Sequence, residues 1–466
     1  MLFTSLLFLI FFLIVYVVYW SVPSHKGKEI SLLIASILFY ASWSLPFLFH
    51  FLVVVVINYY FLSYIQKNRS KKMITFIVFI NLLNLGFFKY FYFLNSVLYD
   101  ITGIIWFKEF GTSLKIILPL AISFYTFQIL AFTIDIYRGK YTEDISLLNY
   151  MVFIMFFPQL IAGPIMRANE FLPQLQGKTE IDFKSDYIYK GMLLVALGIV
   201  KKVLIADNIA GVIDPVWQNP SQYSSFELFI AIHGFTWQIY GDFGGYTDVA
   251  RGAAYLLGYE IPENFKAPFL SASPREMWQR WHITLSTWLR DYLYIPLGGS
   301  RVGEFRNQFN LVLTFVLGGL WHGAAWTYVI WGFFHGFFLV LQRIMEKLGF
   351  KQIFPSFPGK IVSIFFTYHL FFLGAIPFRS KNMSDFFLVS EKVFLWNSNI
   401  KSSILTETVI GLCFLALLIQ IFEYKEYFPR VLWKIRPVFT PLIFLLLLIL
   451  IGLYSGTGKE FVYFQF

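Results

Sequence analysis

Residues 310–323 read NLVLTFVLGGLWHG, from Asn310 to Gly323. Asn310 to Trp321 is about a dozen apolar residues, which as a helix reach only ~18 Å, roughly half way through a bilayer. The run ends at Gly318 and Gly319, a pair that breaks the helix and opens space, with His322 close behind; the next span, Ala324 to Leu341, returns to basic residues at Arg343 and Lys347. Basic residues mark the cytoplasmic ends of spans, so this stretch reads as the bend of a hairpin holding an imidazole deep in the membrane.

Composition extends that reading to the whole chain. Of 466 residues, 58% are hydrophobic and 14% charged, against about a quarter charged in soluble domains. The clearest apolar runs are Leu2 to Trp20, Met73 to Leu94, Lys115 to Ile136 and Val438 to Tyr454; shorter and broken runs bring the expectation to roughly ten to twelve transmembrane helices. The first run has no Lys or Arg before it and no small-residue cleavage site after it, so it reads as a retained span, not a signal peptide. His25, Lys26 and Lys28 follow that span, and Lys67, Arg69, Lys71 and Lys72 come two spans later. Both clusters belong in the cytoplasm, which puts the N-terminus outside. The net charge of +10 sits in such loops, so it reports topology and contact with membrane lipids and excludes nucleic-acid binding. The lone Cys413 rules out an internal disulfide and cysteine metal sites. The 57 Phe and 13 Trp suit lipid-facing surfaces and interfacial belts.

No internal repeat or low-complexity linker divides the chain, which predicts a single membrane domain over residues 1–466. Asp135 to His335 carries most of the Gly, Pro and intramembrane polar residues, placing a catalytic core at about 135–345. Tyr150 to Ile165 is short, interrupted by Pro158, Gly163 and Pro164, and flanked by basic residues on both sides (Arg138, Lys140; Arg167, Lys178). That pattern predicts a re-entrant segment. Tyr259 to Gln308 is placed in the cytoplasm by Lys266, Arg275, Arg280, Arg290, Arg301 and Arg306. Within it, Pro274 to Leu293 carries Trp278, Trp281, Leu285, Trp288 and Leu289 at three- and four-residue spacing. This predicts an interfacial amphipathic helix with Ser273 as N-cap and Pro274 at its first position. One conflict stands: Arg379, Lys381, Lys392 and Lys401 fall in a loop that the count of spans places outside.

A histidine inside a membrane is costly and marks a site by default. A general base must be neutral at pH 7, and burial favours the neutral imidazole, so His322 is the leading candidate. His335 lies ~20 Å and ~220° further along one continuous helix, so it reads as structural unless the helix breaks. His282, on the interfacial helix, is equally readable as a second site residue or as packing; His233, His369, His50 and His25 carry no partner pattern. Asp242 and Asp248 lie with Gln238 and Tyr240 in the Gly-rich stretch Trp237 to Gly258. Buried carboxylates need partners, and these two either orient an imidazole or, as the stronger reading, tie helices together through Arg251. Asp135 with Arg138 reads as a similar bracing pair. HExxH, CxxC, Walker A and GxSxG are absent, no His is followed five residues on by Asp, and no metal site is expected.

Phe156 to Ile165 (FFPQLIAGPI), Gln238-Ile239-Tyr240 with Asp242-Phe243, Trp278 to His282 (WQRWH), Leu293 to Gly299 and Leu320-Trp321-His322-Gly323 together resemble the membrane-bound O-acyltransferase (MBOAT) family. Within it they resemble the branch of the bacterial alginate O-acetylation membrane protein and the peptidoglycan O-acetyltransferase, with the D-alanyl transfer protein of teichoic-acid modification further off. The similarity covers nearly the whole chain. It implies a catalytic His322, with His282 at the family's second polar position, and a central tunnel to which Trp321, Trp281, Gln238 and Asp242 are assigned. It also implies a donor from the cytoplasm, acetyl-CoA or another acyl thioester, with no bound cofactor. The acceptor approaches from outside the bacterial cytoplasmic (inner) membrane. It is a polysaccharide or peptidoglycan, reached through a periplasmic acetyltransferase partner. In this reading His282 polarises the carbonyl or helps position the donor, while Trp321 and its neighbouring glycines shape the tunnel and exclude water. The chain departs from the family at Asp242-Phe243-Gly244-Gly245-Tyr246, where relatives usually have Ser in place of Gly244. Transfer of D-alanine or a long acyl chain is the alternative within the family. A non-enzymatic transporter is the alternative outside it, and would call for related halves that this chain lacks. The volume beside His322 separates acetyl from longer groups.

Overall fold

The computed structural model describes residues 1, 3–178, 185–350, 356–396 and 403–424, with isolated positions 442, 445, 449 and 461. The described residues are helical, with no strand among them. Apart from three isolated positions, the span expected at Val438 to Tyr454 lies outside the described residues, as does Lys401. Five described helices are long and apolar enough to cross a membrane. The chain forms two compact units, residues 1–192 with 250–262, and 193–249 with 263–466.

The first unit begins with α1 (Leu6–Ser21), α2 (His25–Ala41), α3 (Leu45–Asn68) and α4 (Lys71–Thr102). Ser5, Ser24 and Ser70 cap three of these helices by accepting the amide three residues on. Asn58 and Asn81 exchange amide hydrogen bonds of 3.1 and 2.8 Å between α3 and α4, where lipid offers no competing partner. After α5 (Ile105–Ser113), α6 (Ile122–Tyr137) is shorter than the run expected from Lys115, because Pro119 and a left-handed Ala121 delay its start. Asp135 at its end meets Lys140 at 3.5 Å.

α7 (Leu147–Met155) and α8 (Phe157–Leu160) form the segment read as re-entrant. Nine residues of helix reach only ~13 Å, and the break at Phe156 strands backbone groups that side chains then satisfy. Gln128 donates to the Phe153 carbonyl at 2.7 Å, Gln159 donates to Ile154 O and to Gln128 Oε1, and Ser36 Oγ accepts the Phe157 amide at 3.2 Å. A Cβ at Gly163 would lie 2.4 Å from Gln159 Cα, so the turn out of α8 admits only glycine. The unit closes with α9 (Ala168–Leu175).

α10 (Ser185–Ile199), which begins among the residues of the first unit, runs into a wide π-helical segment of the second, Val200–Asp207, followed by α11 (Asn208–Gln218) and α12 (Ser225–Leu256), whose last residues belong to the first. A Cβ at Gly198 or at Gly245 would lie 2.5 or 2.6 Å from the other's carbonyl oxygen, so the two backbones touch. Lys201 and Lys202 of the π segment are buried there against carboxylates. Lys201 pairs with Asp248 at 2.6 Å and with Glu423; Lys202 pairs with Asp207 and Asp242, each at 2.7 Å. Buried carboxylates do tie helices together here, with these lysines as counter-charges.

The expected interfacial helix is two helices, α13 (Pro274–Arg280) and α14 (Ile283–Leu289). Ser273 caps the first, accepting the Glu276 amide at 3.2 Å, with Pro274 at its first position. Trp281 is extended and His282 left-handed at φ 43°, and Asn264 accepts the Ile283 and Thr284 amides across the break. Met277, Trp281, Leu285 and Trp288 are buried in protein, so the apolar stripe packs inward instead of lying on lipid.

α15 (Glu304–His322) and α16 (Trp326–Lys347) form the hairpin. α15 is ~28 Å long, not ~18 Å, because the polar turn from Glu304 to Phe309 is helical too. It passes straight through Gly318 and Gly319; the chain turns at Gly323. Tight packing explains three glycines: a Cβ at Gly319, Gly332 or Gly336 would lie 2.2, 2.3 or 2.9 Å from backbone atoms of the opposite helix.

α17 (Phe357–Arg379), α18 (Met383–Leu395) and α19 (Ile404–Tyr424) complete the unit. The basic residues that conflicted with the topology are engaged by protein. Arg379 pairs with Asp214 at 3.2 Å, Lys381 donates to Gln218 O at 2.9 Å, and Lys392 donates to the carbonyls of Ser221 and Tyr223 at 2.8 Å. Cations used to cap carbonyls after α11 are poor markers of a cytoplasmic loop.

Candidate active site

His322 is the last residue of α15, and its imidazole is buried among aromatic rings. Trp321, Trp331 and Phe378 stand edge-on to it, with ring centroids at 5.0, 5.0 and 5.3 Å. The turn after Gly323 brings α16 back alongside α15, so His335 also reaches this cluster, its ring centroid 4.9 Å from that of Trp331. The helix break needed to bring His335 near His322 is present. Both imidazoles pack against the one indole of Trp331.

Two cavities meet at this point. One of about 390 Å³ runs along α15 past Leu311, Thr314, Phe315 and Gly318 to His322, closed on other sides by α13, α14 and Trp331. Its far end carries Arg275, Arg290 and Arg343. Arg275 and Arg290 side chains are about half exposed, at 49% and 59%, so this end opens at the surface. Arg343 is fixed by Asn307 at 2.6 Å, which Tyr294 also holds at 2.9 Å. The second cavity, about 20 Å³, is enclosed by Phe235, Thr236, Ile239, Trp281, Phe371, Ala375 and Phe378. His322 and Trp331 belong to the walls of both.

His282 lines neither of these cavities. Its ring is 1% exposed and packs against Phe243 at 4.7 Å and Trp321 at 6.1 Å, so Trp321 touches both imidazoles. Neither ring nitrogen has a hydrogen-bond partner among the described residues, and burial pushes the imidazole pKa down to about 3. The ring is neutral, held behind Trp321, and not directed at the space beside His322. Trp281 lines the small cavity; Trp321 backs His322 without lining either. Gln238 and Asp242 line neither: the Gln238 Oε1 is buried without a partner among the described residues, and Asp242 is engaged by Lys202.

The remaining histidines have local partners: His233 with Tyr368 at 2.9 Å, His369 with Phe365 O at 2.8 Å, His50 with Asn84 at 3.1 Å, and His25 with Glu29 at 3.4 Å. Among the described residues no cluster of His, Cys, Asp or Glu fits a metal ion. The sequence carried no sign of Trp331, Phe378 and Ala375 as walls, because an aromatic or alanine in an apolar run looks like any lipid-facing position. Gly318 alone had a signal, as the member of a glycine pair one turn from His322.

The MBOAT, membrane-bound O-acyltransferase family, model matches residues 140–376, a stretch containing both histidines and every residue of the two cavities except Phe378. The chain is 36% identical over 449 residues to the probable alginate O-acetylase of Pseudomonas aeruginosa, covering 94% of this chain and 84% of that protein. It is 36% identical over 383 residues to the peptidoglycan O-acetyltransferase of Helicobacter pylori, covering 76% and 71%. Identity to the teichoic acid D-alanyltransferase of Bacillus subtilis is 28% over 278 residues, covering 56% and 69%. An all-helical, multi-pass membrane chain with these matches is an O-acyltransferase and belongs to the MBOAT family.

Proposed function

We propose that the chain moves an acetyl group from a cytoplasmic thioester to a hydroxyl presented from outside a bacterial cytoplasmic (inner) membrane, with His322 as general base. The observation that carries this is that His322 is shared by two cavities of very different size. Along α15 the larger one extends ~16 Å from Leu311 to His322, comparable to an extended pantetheine arm, and its arginine-bearing end suits the phosphates of acetyl-CoA or of a carrier-bound arm. The smaller one has room for about one methyl-sized group. That supports acetyl over D-alanyl or long acyl chains.

In the reaction the acceptor O–H passes its proton to the imidazole as the oxygen attacks the thioester carbonyl carbon. The C–S bond then breaks, and the imidazolium returns the proton to the departing thiolate, so imidazole and thioester supply all the chemistry without a bound cofactor. Carbonyl dipoles at the C-terminus of α15 stabilise the transient positive charge. The indoles and phenyl rings exclude water that would hydrolyse the donor. His282 acts through Trp321, holding that ring against His322. The acceptor is an extracytoplasmic polysaccharide or peptidoglycan, reached through the serine of a periplasmic acetyltransferase partner. His322→Ala, expressed in a strain lacking the native gene, abolishes base-labile acetate on exported polymer while protein level in the membrane is unchanged; retained acetate refutes the assignment.

A further inference from the structure

Gly318 and Gly319 are neighbours in the chain with different surroundings. A Cβ at Gly319 would lie 2.2 Å from the Tyr328 carbonyl oxygen, a backbone atom that cannot step aside without parting the hairpin. At Gly318 the only outside contact of an added Cβ within 4 Å among the described residues is Leu289 Cδ1 at 3.1 Å, the far end of a flexible side chain. Gly319 is therefore a packing glycine. Gly318 is not needed for packing.

Gly318 and Leu289 face each other in the wall of the larger cavity. Gly318 lies ~6 Å before His322 on the same face of α15, one turn toward the arginine-bearing end. Leu311, Thr314, Phe315, Gly318 and His322 form one stripe, so a group travelling to the imidazole passes between Gly318 and Leu289. We infer that this pair is the width filter of the donor passage: Leu289 sets the gap, and the missing side chain at 318 keeps it open for an unbranched thioester arm and a slim acyl group. The small cavity beyond His322 limits acyl length; the filter limits branching. This assignment rests on the acyl-transfer reading above.

The test uses the full chain in membrane vesicles that retain the native acceptor, with acetyl-CoA, butyryl-CoA and isobutyryl-CoA as probes and thiol release as readout. Gly318→Val lowers kcat/KM for acetyl-CoA at least ~10-fold, mainly through KM, as expected when a passage is obstructed and the reacting centre is intact. Leu289→Ala raises the isobutyryl-to-acetyl rate ratio by a similar factor, and the Gly318→Val/Leu289→Ala double variant regains acetyl transfer. Reciprocal rescue is not produced by general destabilisation. His322-dependent release that is insensitive to Gly318→Val, or a double variant no better than Gly318→Val, overturns the filter alone. Absence of any release above that of His322→Ala vesicles overturns the acyl-transfer reading with it.

Discussion

His322 and His335 both pack against one indole, that of Trp331, with ring centroids 5.0 and 4.9 Å from it. Trp331 also belongs to the wall of both cavities. Trp331→Ala merges the two spaces and frees His322 on one side. Polymer acetylation falls ~10-fold or more, the scale of misplaced reacting groups, and donor hydrolysis in vesicles rises. His335→Phe keeps an aromatic ring in place and leaves acetylation within ~2-fold of wild type, because His335 packs behind the indole and contributes no proton transfer.

The small cavity predicts acyl length. Ile239→Val removes one methylene from its wall at a stability cost of only ~0.5–1.5 kcal/mol, and raises the propionyl-to-acetyl ratio in thiol release. Ala375→Val fills the same space from the other side and lowers acetyl transfer. Equal effects of both variants on all acyl lengths would contradict a pocket for the acyl end.

His282 holds a left-handed backbone, φ 43°, a conformation that Asn tolerates and β-branched residues do not. His282→Asn keeps the break between α13 and α14 and retains most activity. His282→Val pays ~1–3 kcal/mol of backbone strain and lowers both the thermal midpoint in detergent and the acetylation rate. An equally damaged Asn variant would show that the imidazole itself is required.

The buried lysines predict an asymmetry. Lys202→Met removes the cation between Asp207 and Asp242 and costs ~3–5 kcal/mol, as for other broken buried pairs. Asp242→Asn leaves Lys202 its bond to Asp207 and costs ~1 kcal/mol. Thermal unfolding in detergent reads the difference.

Gly244 and Gly245 separate in the same way. A Cβ at Gly244 meets nothing closer than 3.5 Å, whereas at Gly245 it meets Gly198 O at 2.6 Å. Gly244→Ser, which introduces the residue that the family resemblance implies, is tolerated and stabilises α12 by ~0.5 kcal/mol through helix propensity. Gly245→Ala forces α12 off the neighbouring backbone, which membrane protein yield and thermal midpoint report.

The hairpin around His322 was legible because charge at one end and glycine at the other mark depth and bend. Its length was not, because Glu304, Arg306 and Asn307 look like loop residues until their helix is seen. The break at His282 left no trace in the three- and four-residue spacing, since Trp278 and Trp281 before it and Leu285 and Trp288 after it all face inward. Nothing in the local pattern marked Lys201 and Lys202 as buried counter-charges. Glu423, which pairs with Lys201, lies more than two hundred residues away, beyond the reach of local pattern. The candidate histidine was readable, but the walls around it depend on which apolar residues meet across helices, which spacing within one helix does not encode.

The dip of residues 147–160 is held by Ser36 and Gln128, and both are synthesised before it. A ribosome feeding the chain into the bilayer therefore delivers this segment to acceptors and donors already in place. Moving either polar group to the C-terminal side by circular permutation would leave the break at Phe156 exposed to hydrocarbon while the chain was still growing, and insertion, not catalysis, would be the step that failed.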